Sequence, residues 1–365
     1  MTQKSPRSKC QSNHSIDKIL RTIPLKKIAE RSGFQNRKPR KIHPYPLIKS
    51  FFEVISSGRN TVENWAQQIS LLTGKTVSKQ GLYERIDGSL SEFLWQVLQH
   101  CFHLQINFNS AQRSSGALSK YYKQIVLEDS TVIKLPDWLA WCYPGNISGG
   151  VKKSQLKIQL MYECFTARIL YLKITPYTTN DQSQAKEILD IAQKGTLVLR
   201  DLGYFSLEST KEMLRRSVSF VTRFRKGLAV YCKNSGDRIN LANYLRKHGG
   251  IDKEVLIGAE NKVLVRLVAV KTTESEAEYQ RRKARNDRDR RSNHSKEFYE
   301  LLGYKIFITS EPVSKLSTEQ IIQIYRLRWR VEIIFKTWKC CFNIQKLIPF
   351  KKGITKERVE ATMYL

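Results

Sequence analysis

Acidic residues are scarce in this chain relative to basic ones. Of its 365 residues, 33 are Asp or Glu and 63 are Lys or Arg, a formal charge of +30 at pH 7. Such an excess implies a polyanionic partner, nucleic acid first and an anionic membrane surface second. No apolar run is long enough to span a bilayer, and the polar, basic N-terminus lacks the pattern of a signal peptide. A cytoplasmic protein that avoids the membrane is expected. The seven cysteines are odd in number, scattered and without a C-x-x-C pair, which points to free thiols in a reducing compartment. No glycine-rich phosphate loop is present, so ATP dependence is not expected. No internal repeat is found.

What is present suits a folded protein of two or more domains, with 41% hydrophobic residues. Residues 1–50 are basic and weakly periodic, and read as an arm. From 51 to 103 the pattern is helical. A helix over 61–72, a glycine-containing turn, and a second helix over 79–86 capped by Ser78 resemble a helix-turn-helix. In that case Lys79, Gln80, Tyr83 and Arg85 are the side chains that reach DNA; a plain helical hairpin is the alternative. A polar linker covers 105–119. His100 and His103 share a helix face but lack a partner pair, so a zinc site is not expected. Cys340 and Cys341 suit packing better than redox chemistry.

Strand signals follow. Residues 125–135, 156–162 and 168–174 suggest an antiparallel meander. A helix over 181–193, a nearly continuous apolar strand over 196–201, a helix over 207–216 capped by Ser206, and a strand over 218–223 imply a mixed sheet with helices on its faces. The stretch 227–303 interrupts this order with strand-like pieces at 229–232 and 263–271. It also carries a highly charged tract from 278 to 291, read as a DNA-facing element in preference to a solvated helix. A strand over 304–309 resumes the pattern.

The most organised stretch is a helix opened by Ser317 and Gln320, the spacing of a capping box. Ile324, Leu327, Val331, Ile334 and Trp338 form its apolar stripe. Tyr325, Arg328, Glu332 and Lys339 lie within roughly 60° of arc along its edge. An aromatic hydroxyl, a guanidinium, a carboxylate and an ammonium in one row suit phosphate binding beside a metal. Two further carboxylates stand out. Asp129 interrupts an apolar strand, and Asp201 ends a buried one, where ligands collect in open α/β sheets. Three carboxylates from two strands and a helix can hold two Mg²⁺ ions for in-line displacement at phosphorus.

These residues resemble the landmarks of the IS4 family of bacterial transposases. The likeness lies in Asp129-Ser-Thr, in the run Asp201-Leu-Gly-Tyr-Phe-Ser, and in the Tyr-x2-Arg-x3-Glu-x6-Lys signature at Tyr325, Arg328, Glu332 and Lys339. It spans about residues 60–365. The resemblance implies an α/β fold: a ribonuclease H-like mixed sheet flanked by helices, a β-rich insertion between the second Asp and the Glu, and an N-terminal helical DNA-binding domain. The implied divisions are 1–115 for the arm and helical domain, 120–226 and 303–345 for the two parts of the catalytic core, 227–302 for the insertion, and 346–365 for the start of a C-terminal helical region.

Carried over residue by residue, Asp129, Asp201 and Glu332 would be catalytic and bind two Mg²⁺ ions, with Mn²⁺ as a substitute. Tyr325, Arg328 and Lys339 would contact phosphates at the transposon end. The partners implied are double-stranded DNA, as terminal inverted repeats and as target, and a second copy of the chain in a synaptic homodimer. Related enzymes place a Trp in the insertion to stack on an extruded base during hairpin formation. Here no Trp lies between Trp141 and Trp329; Phe298, Tyr299 and Trp329 are the candidates, and the hairpin route stays open. Residues 355–365 read as the opening of a helix with no stop signal, whereas family members run on, so a truncated or split reading frame is an expectation here.

The function expected is metal-dependent cleavage at transposon ends and strand transfer into target DNA. A catalytically inactive, transposase-derived DNA-binding protein and a structure-selective nuclease are the competing readings. If Lys and Arg contacts to phosphate dominate binding, the affinity for an end duplex falls by about a thousandfold or more between about 50 and 200 mM salt. Fluorescence anisotropy measures this, and a flat response contradicts it.

Overall fold

A single strand, β1 (Gln124–Leu135), runs through the sheet-bearing half and sorts the elements around it. The computed structural model describes residues 17–36, 41–58, 61–109, 117–286, 294–340, 344 and 355–364. On one side β1 pairs antiparallel with β3 (Val151–Glu163), which pairs with β2 (Pro144–Ser148) and β4 (Arg168–Pro176). On the other side it pairs parallel with β5 (Thr196–Arg200), and β5 parallel with β6 (Ser219–Arg223). Every residue of β5 is buried. This explains its unbroken apolar run, since a central parallel strand is covered on both faces.

The sheet does not stop at β6. It continues through β11 (Tyr304–Thr309), β10 (Val263–Lys271), β9 (Gly250–Ile257), β7 (Val230–Cys232) and β8 (Arg238–Ile239), all antiparallel, to eleven strands among the described residues. The strands between 227 and 302 therefore extend one sheet across β11. Buried Leu267, Val268 and Ala269 on β10 pair with buried residues of β11.

The N-terminal half is helical. Buried residues of α1 (Leu25–Arg31), α2 (Pro44–Ser57), α3 (Val62–Thr73), α4 (Lys79–Glu84) and α5 (Gly88–Asn109) share one core. Fully buried Trp65 anchors it, its indole N–H donating to the Leu47 carbonyl and Ser50 hydroxyl at 3.0 Å each. Thr61 and Ser78 cap α3 and α4, and Gly74 ends α3 in the left-handed conformation. Helix α5 reaches Asn109, past the start expected for the linker. The last described helix follows in space here: Ala361 joins this core and Tyr364 packs on Trp95. The same segment touches the sheet-bearing half through Val359 and through Tyr143, which donates to Glu360 at 3.0 Å.

Two expected helices break. Residues 181–193 form only single turns, α6 (Asp181–Gln184) and α7 (Ile188–Ile191). The Ala185 carbonyl is taken by Arg200 and Ser209 instead of the Leu189 amide, which turns to Lys186. Next come α8 (Leu207–Arg215), α9 (Leu241–His248), α10 (Glu274–Arg285) and α11 (Lys296–Leu301). Of the charged tract, 278–285 is the end of α10 and 287–291 lies outside the described residues. The helix expected from Ser317 onward divides into α12 (Thr318–Tyr325) and α13 (Trp329–Cys340), joined by a 3₁₀ turn over Arg326–Arg328. Its capping box is present. The final helix is α14 (Lys356–Tyr364).

Arg266 on β10 fixes the approach to α12. Its side chain is 3% exposed, and it forms a fork onto Asp252 at 2.6 and 2.7 Å while donating to the carbonyls of Glu311 and Leu316. Arg266→Met strands these acceptors. Because Asp252 keeps contact with solvent, the loss sits at the low end for a broken buried pair, about 3 kcal/mol. Denaturant unfolding measures it, and an unchanged midpoint contradicts this role.

Candidate active site

In the parallel pairing of β1 with β5, Glu128 lies opposite Arg200. One residue further along each chain stand Asp129 and Asp201. The backbone of Asp201 is still extended before the chain turns through Leu202–Tyr204. Side chains alternate across a strand, so Glu128 and Arg200 share one face and the two aspartates the other. Gly203 lets this turn approach α6: an added Cβ would lie 3.2 Å from the Asp181 carboxylate.

The first turn of α13 brings the third carboxylate. Arg328 donates to Asp129 at 2.5 Å and to Glu332 at 2.6 Å, so one guanidinium bridges both acids. Asp129, Asp201, Arg328, Glu332, Lys336 and Lys339 line one open cleft of about 480 Å³. The Asp129 carboxyl is 14% exposed and also accepts the Ser130 amide at 2.8 Å. Burial pushes it up to about 6, with Arg328 opposing and the Asp201 and Glu332 charges adding to the rise. Burial works against the charge on Arg328, but Asp129, Tyr325, Asp201 and Glu332 together hold its affinity for protons above the ordinary value. Partial burial lowers the Lys339 ammonium. Among the described residues Lys339 forms no ion pair.

The donor set suits a hard cation: three carboxylates face one solvent-open cleft that holds no imidazole and a single thiol, Cys340. Among the described residues, no three acids, histidines or cysteines converge as closely as a closed metal shell requires. Within this trio, Arg328 stands between Asp129 and Glu332. The structure thus brings Asp129, Asp201, Glu332, Arg328 and Lys339 together. Tyr325 lies behind them: its ring is 5.8 Å from the Arg328 guanidinium, but it does not line the cleft. That ring is 5% exposed and its hydroxyl donates to the Arg200 carbonyl at 3.4 Å. Burial pushes this phenol up to about 12.

Of the four residues expected at the helix-turn-helix, Lys79 and Gln80 are exposed. Arg85 turns inward, stacked 5.0 Å from the Phe34 ring and donating to the Phe34 carbonyl. Tyr83 is half-buried under Arg358 of α14. His100 lies on α5, and nothing is described of the His103 side chain.

Two features had no clear signal in the sequence. Asp181, read there only as the start of a helix, accepts from Lys157 at 2.8 Å, Gln159 at 3.0 Å and Ser130 at 3.4 Å, so a second polar cluster borders Asp129. Next to Arg328 opens a larger pocket, about 670 Å³, lined by Tyr279, Phe298, Trp329, Arg223, Lys226 and Arg326 among others. Trp329 is 62% exposed there. Burial, then the neighbouring Arg223 charge, brings the Lys226 ammonium down to about 8.

Two aspartates thus stand where the parallel pairing of β1 and β5 ends, beside the cations of α13. Residues 121–348 match the family described as Transposase DDE domain, and the chain belongs to that family. It is 31% identical over 361 residues to the transposase for insertion sequence element IS231D of Bacillus thuringiensis subsp. finitimus, an alignment covering 93% of this chain and 74% of that one. It is 25% identical over 374 residues to the transposase for insertion sequence element IS1151 of Clostridium perfringens, covering 96% and 77%. A cryo-EM structure of the piggyBac transposase synaptic complex with hairpin DNA superposes with a TM-score of 0.46 at 12% identity, over 95% of this chain and 70% of that one. Among the described residues no helix is long and apolar enough to cross a membrane.

Ionising Asp129 costs the fold stability as pH rises from the ordinary carboxylate range to about 6. Arg328→Met removes the main charge that offsets burial, so the Asp129 midpoint moves above about 6. Carbon-detected NMR titration of the aspartate carboxyls reads this shift, and an unchanged or lower midpoint contradicts the bridge.

Proposed function

We propose that this protein is a DNA transposase of the IS4 type that cleaves DNA at transposon ends and joins them to a target. The observation that carries the reading is the adjacency of Asp129 and Asp201 on parallel strands, with Glu332 reached through Arg328 in the same cleft. The strand order β4-β3-β1-β5-β6, with three antiparallel strands followed by two parallel ones, supports a ribonuclease H-like core. The β-rich stretch 227–302 is its insertion, joined to the core sheet through β11.

Asp129, Asp201 and Glu332 would hold two divalent cations, Mg²⁺ with Mn²⁺ as a substitute. Bound there, the cations supply an activated water or 3′-hydroxyl and neutralise the leaving oxygen of an in-line displacement at phosphorus. Arg328 presents a fork suited to phosphate as well as carboxylate, and Lys336 and Lys339 add point charges along the same helix face. Tyr325 supports the site from within. The exposed Lys79 and Gln80 of the helical domain contact the end duplex, while Tyr83 and Arg85 hold α4 in place. A pair of chains brings two ends together.

For the hairpin route, the aromatic and cationic pocket beside Arg328 has the composition that stacks a base and neutralises its phosphate. Phe298 and Trp329 line it and Tyr299 does not, which favours the first two as stacking residues.

One assay tests the whole reading. A labelled end duplex is incubated with purified protein and resolved on denaturing gels, which separate nicked, hairpin and strand-transfer products. Scission requires Mg²⁺ or Mn²⁺, and Ala at Asp129, Asp201 or Glu332 lowers its rate at least about a hundredfold while duplex binding survives. Cleavage that persists in Glu332→Ala defeats the proposal. Binding without scission under any metal favours the inactive DNA-binding alternative, and scission without joining favours a nuclease.

A further inference from the structure

Directly behind the two aspartates lies a buried ion pair. The Glu128 and Arg200 side chains are each 1% exposed. Arg200 reaches one oxygen of Glu128 twice, through Nε at 2.8 Å and Nη2 at 2.7 Å. The other oxygen, Oε1, has no hydrogen-bond partner in the interior. The rest of the guanidinium is spent on the surroundings of the Asp201 turn. Nη2 donates to the Ala185 carbonyl at 3.1 Å, and Nη1 donates to Ser209 Oγ at 2.9 Å and the Tyr204 carbonyl at 3.5 Å. The backbone carbonyl of Arg200, which belongs to the peptide leading into Asp201, accepts the Tyr325 hydroxyl.

We propose that Glu128 and Arg200 are positioning residues that hold Asp129 and Asp201 side by side as a cation-binding pair, with Tyr325 as their support from α12. Neither side chain faces the cleft, so neither touches substrate. Desolvating two charges costs as much as their attraction returns, and apolar residues of the same volume would serve stability at least as well. What an apolar pair cannot supply is direction. Strand pairing sets the register of β1 against β5, but it ends at Glu128 opposite Arg200, and the Asp201 backbone is about to leave the sheet. A planar fork tied at once to β1, α8 and the Asp201 turn removes that freedom. The residue immediately before each aspartate is therefore given to its neighbour's placement.

The inference rests on the reading that Asp129 and Asp201 hold cations, and the test separates the two. The full-length protein carries Glu128→Met with Arg200→Met, an apolar pair of similar volume. Glu128→Gln is a second, nearly isosteric variant, and Asp129→Asn is the reference. Melting temperature and end-duplex affinity report folding. Mn²⁺ binding to the protein–duplex complex, read from the free-ion EPR signal, reports the site independently of turnover. The double variant is expected to melt no lower than wild type and to bind duplex equally well. Its Mn²⁺ dissociation constant rises about 10–100-fold, the effect of losing groups that orient a metal's ligands, and the Mg²⁺ midpoint for nicking moves with it. A folded double variant with the wild-type Mn²⁺ curve overturns the positioning role. So does loss of folding in both variants, which would assign the pair to stability alone. If Asp129→Asn leaves Mn²⁺ binding and nicking intact, the cation-holding reading is the one that fails.

Discussion

The pairing of two parallel strands sets where the acids of this chain meet. Asp129 and Asp201 are 72 residues apart in sequence, yet the register of β1 against β5 makes them neighbours. Bringing like charges together is costly, and burial makes it worse, as the raised Asp129 carboxyl shows. A guanidinium with two donor edges resolves the conflict by answering Asp129 and Glu332 at once. A lysine at 328 would bring a single point charge and no such fork. The acidic site is thus assembled from sheet geometry and stabilised by a cation on the same helix as its third acid.

The long antiparallel extension serves the same end. Strands β7 to β10 could form a free-standing appendage, but they build outward from β11 and share its hydrogen bonds. Arg266 then fastens the loop that leads into α12, so the entry to the Glu332 segment is set from the extension side. At the far end of the chain, α14 packs on the helical domain through Ala361 and Tyr364 and on the sheet-bearing half through Val359 and Glu360. The helical domain is therefore tied to the sheet-bearing half through the last described helix.

Much of the site was legible in the sequence because its signals are local. An acid inside an apolar strand, an acid at the end of another, and Arg328 four residues before Glu332 are patterns of spacing, and the sheet brings those residues together. The strand content of the meander and the caps at Ser78, Ser206 and Ser317 were readable for the same reason. What escaped depends on partners far away in the chain. Periodicity continues unchanged through 317–339, yet a 3₁₀ turn breaks the helix at Arg326–Arg328 and Tyr325 is buried. Helical propensity over 181–193 gives way to Arg200 claiming the Ala185 carbonyl. Arg85 looked free to meet DNA, and Phe34, 51 residues away, holds it. Asp181 gained its role from Lys157 and Gln159 on β3, which no spacing rule connects to it.

The contrast between the acid cleft and the rest of the molecule bears on how DNA can be used. A formal charge of +30 draws any duplex, without regard to sequence, through phosphate contacts that carry no base information. Attraction of that kind does not favour the carboxylates, which repel a phosphate. On the proposed reading, entry of a scissile phosphate depends on local compensation at the cleft itself, where Arg328, Lys336 and Lys339 line the walls beside the three acids. Arg328 is already engaged by two of those acids, whereas Lys339 has no carboxylate partner among the described residues. Lys339 thus offers a phosphate its charge at no loss of an existing bond. The row of residues that looked uniform in the sequence is divided in the fold into a buried tyrosine, a bridging arginine and a lysine without an ion pair among the described residues.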